Sequence, residues 1–338
     1  MKNAIGQYKS HALGTSGMWD FSFAKSIGMV LRTLPFIVLR LVVYVGIAVA
    51  YVFVVGVGAG AGFLLGHFWS SADAPAGGAM WGGLIGFGIT SAALYLAREY
   101  LLYLVKAAHI AVLVEIFDGR PVPVGQTQIG YGANFVKTHF AEASVLFGVD
   151  QIVKAVLRAI FRTINFFAMF LPIPAFQQLL RIAEAIVRMS LTYVDEVILA
   201  YLIRTRTTNP WSTAEDGLIL YAQNYRHFLK NAVWLSIFMW FVTLLIFVFL
   251  LTPAGFVALA LPGRNAGLWA LAIAVIFAVS LKKALLEPLA IASLMQVFFK
   301  TIEGQTPDPE WKARLDSASG KFRELAGKAA SWGAPKPA

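Results

Sequence analysis

Apolar residues crowd into four stretches of this chain, roughly 36–66, 79–105, 231–251 and 267–299, with few charges inside them. A helix needs about 20 apolar residues to cross the hydrocarbon of a bilayer. The pattern therefore predicts an all-α, polytopic membrane protein with four spans in two similar hairpins.

The flanking polar positions repeat as well. A mixed polar and apolar helix precedes each hairpin: Trp19 to Arg32, then Pro35, before the first, and Ser212 to Lys230 before the second. Ser212, Thr213, Glu215 and Asp216 supply hydroxyl caps and first-turn acids for the latter. Each hairpin leaves through a long helix with charges partway along, Arg98, Glu99 and Lys106 in one copy and Lys282, Lys283 and Glu287 in the other. Both exit helices end on an acid and a glycine, Asp118-Gly119 and Glu303-Gly304, followed by Pro121 and Pro123, and by Pro307 and Pro309. Glycine suits the left-handed residue that stops a helix, and proline prevents its restart. The copies enter and leave on the same side, which makes a parallel repeat. It reads either as the duplicated core of a transporter or as punctuation that any two membrane hairpins share.

Between the copies the period changes. Ser144 to Ile164 predicts a helix carrying Asp150, Lys154, Arg158 and Arg162 at four-residue spacing, a charged stripe on an apolar cylinder. An uncharged turn with Pro172 and Pro174 follows. A second helix, Phe176 to Arg204, carries Gln177, Arg181, Glu184, Arg188, Asp195 and Glu196. The helices either lie in the interface plane with their stripes in water, or insert as a hairpin, which raises the spans from four to six. On insertion, Asp150 and Glu184 would oppose Lys154, Arg158 and Arg188, because charge inside a membrane persists only when paired or hydrated. The candidate substrate pathway is thus Asp150, Lys154, Arg158, Glu184, Arg188, Asp195 and Glu196.

These features divide the chain into an N-terminal arm (1–35), a first hairpin (36–118), a central charged segment (119–206), an amphipathic helix with the second hairpin (207–304) and a basic tail (305–338). Trp332 to Ala338, at the end of that tail, are expected to be disordered.

Composition sharpens the class. The 338 residues are 58% hydrophobic and only 14% charged, against about 25% charged in soluble domains. Lipid must be one of the solvents. The net charge of +10 sits beside the spans, so anionic headgroups rather than nucleic acid are the expected partner. The tip at His67 to Gly78 has no Lys or Arg, and the tip at 252–266 has only Arg264. Lys and Arg concentrate instead in the arm, at Arg40 near the entry end of the first span, in residues 106–230 and in the tail from Lys300 onward, which predicts a cell-membrane protein with both termini cytoplasmic.

Catalytic signatures are missing. There is no cysteine, no phosphate-binding glycine loop and no HExxH. His11, His67, His109, His139 and His227 show no metal-ligand spacing. The acid pairs Asp195-Glu196 and Glu215-Asp216 are adjacent, so each pair points to different helix faces. No enzyme activity, cofactor or metal is expected. Gly56, Gly58, Gly60, Gly62 and Gly66, and Gly82, Gly83, Gly86 and Gly88, fit close packing between the first two spans.

From about His139 onward, the order of features resembles the choline transporter-like family. Ser144-Val145-Leu146-Phe147-Gly148 is similar to that family's Ser and Phe-Gly phrase at the start of an inserted helix. Asn209-Pro210-Trp211-Ser212-Thr213-Ala214-Glu215-Asp216-Gly217 resembles its polar N-F-x-x-S-A-x-x-A segment. Lys230 with Asn231, and the run Gln296 to Glu303-Gly304, resemble its later landmarks. Family members are longer and carry cysteines, so no choline-binding residue is carried over. The resemblance implies transport of a small organic cation or amine. Two functions are therefore expected: a transporter or channel for a small solute, or a non-catalytic anchor or scaffold subunit. Either could act as a homo-oligomer or within a membrane complex.

Overall fold

The computed structural model describes residues 19–68, 74–122, 127–139, 143–169, 193–206, 208–259 and 266–333, and every regular element among them is helical. In order these are α1 (Phe23–Arg32), α2 (Leu34–Gly66), α3 (Ala74–Phe117), α4 (Gln128–His139), α5 (Ala143–Met169), α6 (Val194–Thr205), α7 (Pro210–Gln223), α8 (Tyr225–Leu259) and α9 (Ala266–Leu281). A π-helical turn (Lys282–Leu286) then leads into α10 (Glu287–Thr301), α11 (Pro309–Ala318) and α12 (Gly320–Ser331).

The first copy begins where Ser22 caps α1 by accepting from the Lys25 amide. α1 and α2 meet at Thr33 with a bend of 74°. Two causes act there. The Thr33 hydroxyl donates back to the Met29 and Val30 carbonyls, and Pro35 brings no N–H to the ladder. His109 fixes the bend from α3: its Nε2 lies 2.9 Å from the Thr33 hydroxyl, and its ring stacks on Phe36 at 4.8 Å. α2 and α3 then run together over their glycines. A Cβ on Gly62 would lie 2.0 Å from the Gly78 carbonyl oxygen, and one on Gly82 would lie 2.2 Å from that of Gly58. Only glycine permits so close an approach of two backbones.

The second copy follows the same order. α7 starts earlier than the hydroxyl pattern predicts, at Pro210, because Asn209 is the cap and accepts from the Ser212 amide. α8, α9, the π turn and α10 follow. Both copies stop on glycines with φ +71°, Gly119 and Gly304, as their acid-glycine endings predict.

α10 is the axis of the core, with every residue from Glu287 to Phe299 buried. α1, α6 and α8 pack around it. α12 packs on α5 and α7, anchored by the fully buried Phe322 and Leu325. The tail is therefore ordered through Trp332, whose indole donates to the Thr208 carbonyl at 2.8 Å. This corrects the expectation of disorder at Trp332, while Ala334 to Ala338 lie outside the described residues. That segment's aromatic end finds a carbonyl its composition did not announce.

Among the described residues, two helical segments are long and apolar enough to cross a membrane, Glu99–Phe117 and Tyr225–Phe256, and the bent pair Phe23–Arg32 with Leu34–Ile47 makes a third. This is fewer than the four to six spans expected. The stretch 267–299 is divided by the π turn at Lys282, which leaves α9 with 16 residues. The candidates also differ in setting. More than half of Glu99–Phe117 is buried (56%), against 17% of Tyr225–Phe256. α8 displays Trp240, Phe241, Leu244, Leu245, Val248 and Phe249 outward. Such a continuous apolar face exceeds what a soluble monomer exposes and fits contact with lipid.

Candidate functional site

Charged side chains that interrupt the apolar helices converge at one place. α2 brings Arg40 and Tyr44, α3 brings Lys106, α5 brings Asp150 and Lys154, and α6 brings Asp195 and Glu196. The π turn and α10 bring Lys283 and Glu287. Glu287 takes Arg40 Nη1 at 3.3 Å and Lys283 Nζ at 3.3 Å, with Lys106 Nζ at 4.0 Å. Lys106 donates to Glu196 at 2.5 Å. Lys154 donates to Asp150 at 2.7 Å and lies 3.4 Å from Asp195. Four cations thus meet four carboxylates.

Local structure explains who meets whom. Asp195 and Glu196 are neighbours on α6, about 100° apart around the helix, so one reaches Lys154 on α5 and the other Lys106 on α3. Asp150 and Lys154 are one turn apart and pair along their own helix. The π turn packs on α2, with Lys283 one turn before Glu287. Such one-turn bulges often occur at functional sites.

Burial gives the cluster its weight. Arg40, Glu196 and Glu287 are at most 3% exposed. At 2.5 Å and an effective dielectric constant of ~20, Lys106 and Glu196 attract by about 7 kcal/mol. Desolvation costs several kcal/mol per ion, so the pair nets little, yet losing one partner is expensive. Arg40 Nε and Nη2, Glu196 Oε2 and the Tyr103 hydroxyl are buried with no hydrogen-bond partner. The pairs around Glu115 and Asp118 contrast with this. Glu115 is as buried as Glu196, but the partners Arg120, Arg204 and Arg206 are 37–44% exposed, so water screens these pairs from the cationic side.

Two cavities adjoin the cluster. One of about 290 Å³ is walled by Tyr44, Glu99, Tyr103, Lys106, Lys154 and Lys283, together with Ile47, Leu102 and Val279. The other, about 80 Å³, is walled by Tyr193, Ser236, Met239, Trp240, Lys282, Lys283 and Glu287. Lys283 is the one residue they share. The larger cavity takes residues from both hairpins and from α5.

Of the seven pathway residues expected from the sequence, Asp150, Lys154, Asp195 and Glu196 meet here. Arg158 does not. It is exposed, although Val156 and Leu157 beside it are buried, and its Nε turns back to the Lys154 carbonyl. Glu184, Arg188 and the Pro172–Pro174 turn lie outside the described residues, as does the pairing of Asp150 with Glu184. Sequence reasoning missed Arg40, Tyr44, Tyr103, Lys106, Lys283 and Glu287 as site residues. From the sequence Arg40 reads as topology control, and the later charges read as repeat punctuation. The signal available was their position inside apolar helices, where an unpaired charge is not tolerated.

Comparison with known proteins finds no matching family model, no matching curated protein and no matching solved structure. Among the described residues, no group of histidines and acids could hold a metal ion.

Proposed function

We propose that the chain is a non-catalytic, multi-pass membrane transporter for a small solute. The solute's path passes the charged junction between the two hairpins. One observation carries this reading: eight ionisable side chains, four basic and four carboxyl, gathered where both hairpins meet, with Lys283 lining both adjoining cavities. Transporters built from repeats bind solute at the repeat interface near the bilayer midplane. In this account the two hairpins supply four spans, with both termini in the cytoplasm. Lys106, Lys283 and Glu287 form the gate, because exchanging partners within a balanced network opens a route without stranding a charge.

The test is solute flux into liposomes carrying the purified full chain, over a panel of amines, carboxylates and inorganic ions. Saturable flux that falls at least tenfold in Glu287→Gln supports the reading. No solute-dependent flux from correctly inserted protein overturns it. The anchor reading is favoured by a different feature, a surface groove of about 450 Å³ lined by Tyr225, Arg226, Trp311 and Arg314 among others. A stoichiometric protein partner that co-purifies in mild detergent, and is lost in Trp311→Ala, would establish that function instead.

A further inference from the structure

The ionisable groups on the wall of the larger cavity are unbalanced, although the cluster behind it is balanced. Lys106, Lys154 and Lys283 line the space, and among its lining residues Glu99 is the one carboxylate. Glu287, Glu196, Asp150 and Asp195 stand behind the lysines and do not line it. Each ammonium has three N–H donors. Lys283 spends one on Glu287, Lys106 spends one on Glu196 with Glu287 at 4.0 Å, and Lys154 spends one on Asp150 with Asp195 at 3.4 Å. Donors therefore remain at all three nitrogens. Tyr103 lines the same space, and its buried hydroxyl has no hydrogen-bond partner. Tyr44, also on the wall, points its hydroxyl toward Glu287 at the long distance of 3.5 Å.

We propose that this cavity binds a small oxyanion, a carboxylate or a phosphate, held by the three lysine ammonium groups and the Tyr103 hydroxyl. The carboxylates behind them keep the lysines charged and aimed while the cavity is empty of solute. The volume of about 290 Å³ is at the lower end for small-molecule pockets, which suits a compact ion. This deepens the transport reading and rests on it only for the claim that the bound ion moves. The wall favours an anion over the organic cation that the family resemblance implies. A free solute and the headgroup of an anionic lipid carry the same chemistry, and the experiment separates them.

The measurement is calorimetric titration of the full chain in neutral detergent with succinate, with inorganic phosphate, and with choline. A parallel set uses phosphatidylcholine nanodiscs with and without phosphatidylglycerol. Saturable binding of succinate or phosphate but not choline is expected. Tyr103→Phe should weaken it about tenfold, as loss of one hydrogen bond to a charged group does, and Lys283→Met should weaken it at least as much. Tyr103→Phe removes a hydroxyl that bonds to nothing in the fold, so it reports on binding rather than folding. Loss of the succinate or phosphate signal specifically in phosphatidylglycerol nanodiscs supports the same site with a lipid headgroup as occupant. Binding of choline in preference to both anions, or no saturable binding in any arm, overturns the proposal. Oxyanion binding without flux sinks transport and keeps the site. Choline flux without oxyanion binding does the reverse.

Discussion

Removing the Lys106 ammonium tests the buried network most sharply. Lys106→Met keeps the length of the side chain and deletes its charge. Glu196, 3% exposed and 2.5 Å from Lys106 Nζ, then faces the core without its cation. The attraction lost is about 7 kcal/mol at an effective dielectric constant of ~20, partly offset because Lys106 no longer needs desolvation. Breaking a buried pair on one side costs about 3–5 kcal/mol. Glu196→Leu strands Lys106 less severely, since Glu287 lies 4.0 Å away. Deleting both charges leaves no stranded ion. The double variant Lys106→Met with Glu196→Leu should therefore be more stable than Lys106→Met alone by about 2 kcal/mol or more, since buried pairs often tolerate apolar replacement. Equilibrium unfolding in mixed detergent micelles measures all four proteins of this cycle. Additive losses, with the double variant worse than either single one, would refute the reasoning.

Gly62→Ala should push α2 from α3 and cost about 1–3 kcal/mol of overpacking, because its Cβ would sit 2.0 Å from the Gly78 carbonyl oxygen. Gly60→Ala, with nothing within 4 Å, should be neutral, and thermal stability in detergent compares the two. Phe322→Ala should cost about 3–5 kcal/mol of tail docking and make the segment after Glu303 cleavable by added protease at concentrations that spare the parent chain. Asp20 gives a pH dependence. Burial raises its pKa, but hydrogen bonds from Asn231 and Lys230 outweigh this and hold it below the usual carboxylate range. A depressed folded value stabilises above the unfolded pKa and loses that contribution as pH falls through the folded one. The parent's stability advantage over Asp20→Asn should therefore be constant above about pH 4 and shrink below it, read by unfolding between pH 6 and 2.

Much of the helical plan was legible because it depends on local chemistry. Gly119 and Gly304 stop their helices where an acid-glycine pair and downstream prolines require it. The glycines of α2 and α3 announce a close approach. What was not legible depends on long-range contact. Arg40 and Glu287 are 247 residues apart, and nothing in either neighbourhood names the other. The π turn at Lys282–Leu286 carries no local signature either, yet it divides the last apolar stretch. Lys230 and Asn231 are similar: their polar character was visible, but their partner, Asp20, sits at the entry of the other copy. The docking of α12 was hidden because its two buried anchors, Phe322 and Leu325, are diluted among polar residues.

The account stands on a wet, charge-lined cavity enclosed by helices whose outer faces touch lipid. The chain has no cysteine, so single substitutions can be read without background. Leu102→Cys reports from the wall of the larger cavity, and Val248→Cys reports from the outward face of α8, where it is 55% exposed. Both go into liposomes and meet a water-soluble, membrane-impermeant thiol reagent. The account predicts that Leu102→Cys is labelled from the aqueous phase and Val248→Cys is not. Equal labelling of both, or labelling of Val248→Cys alone, would contradict it.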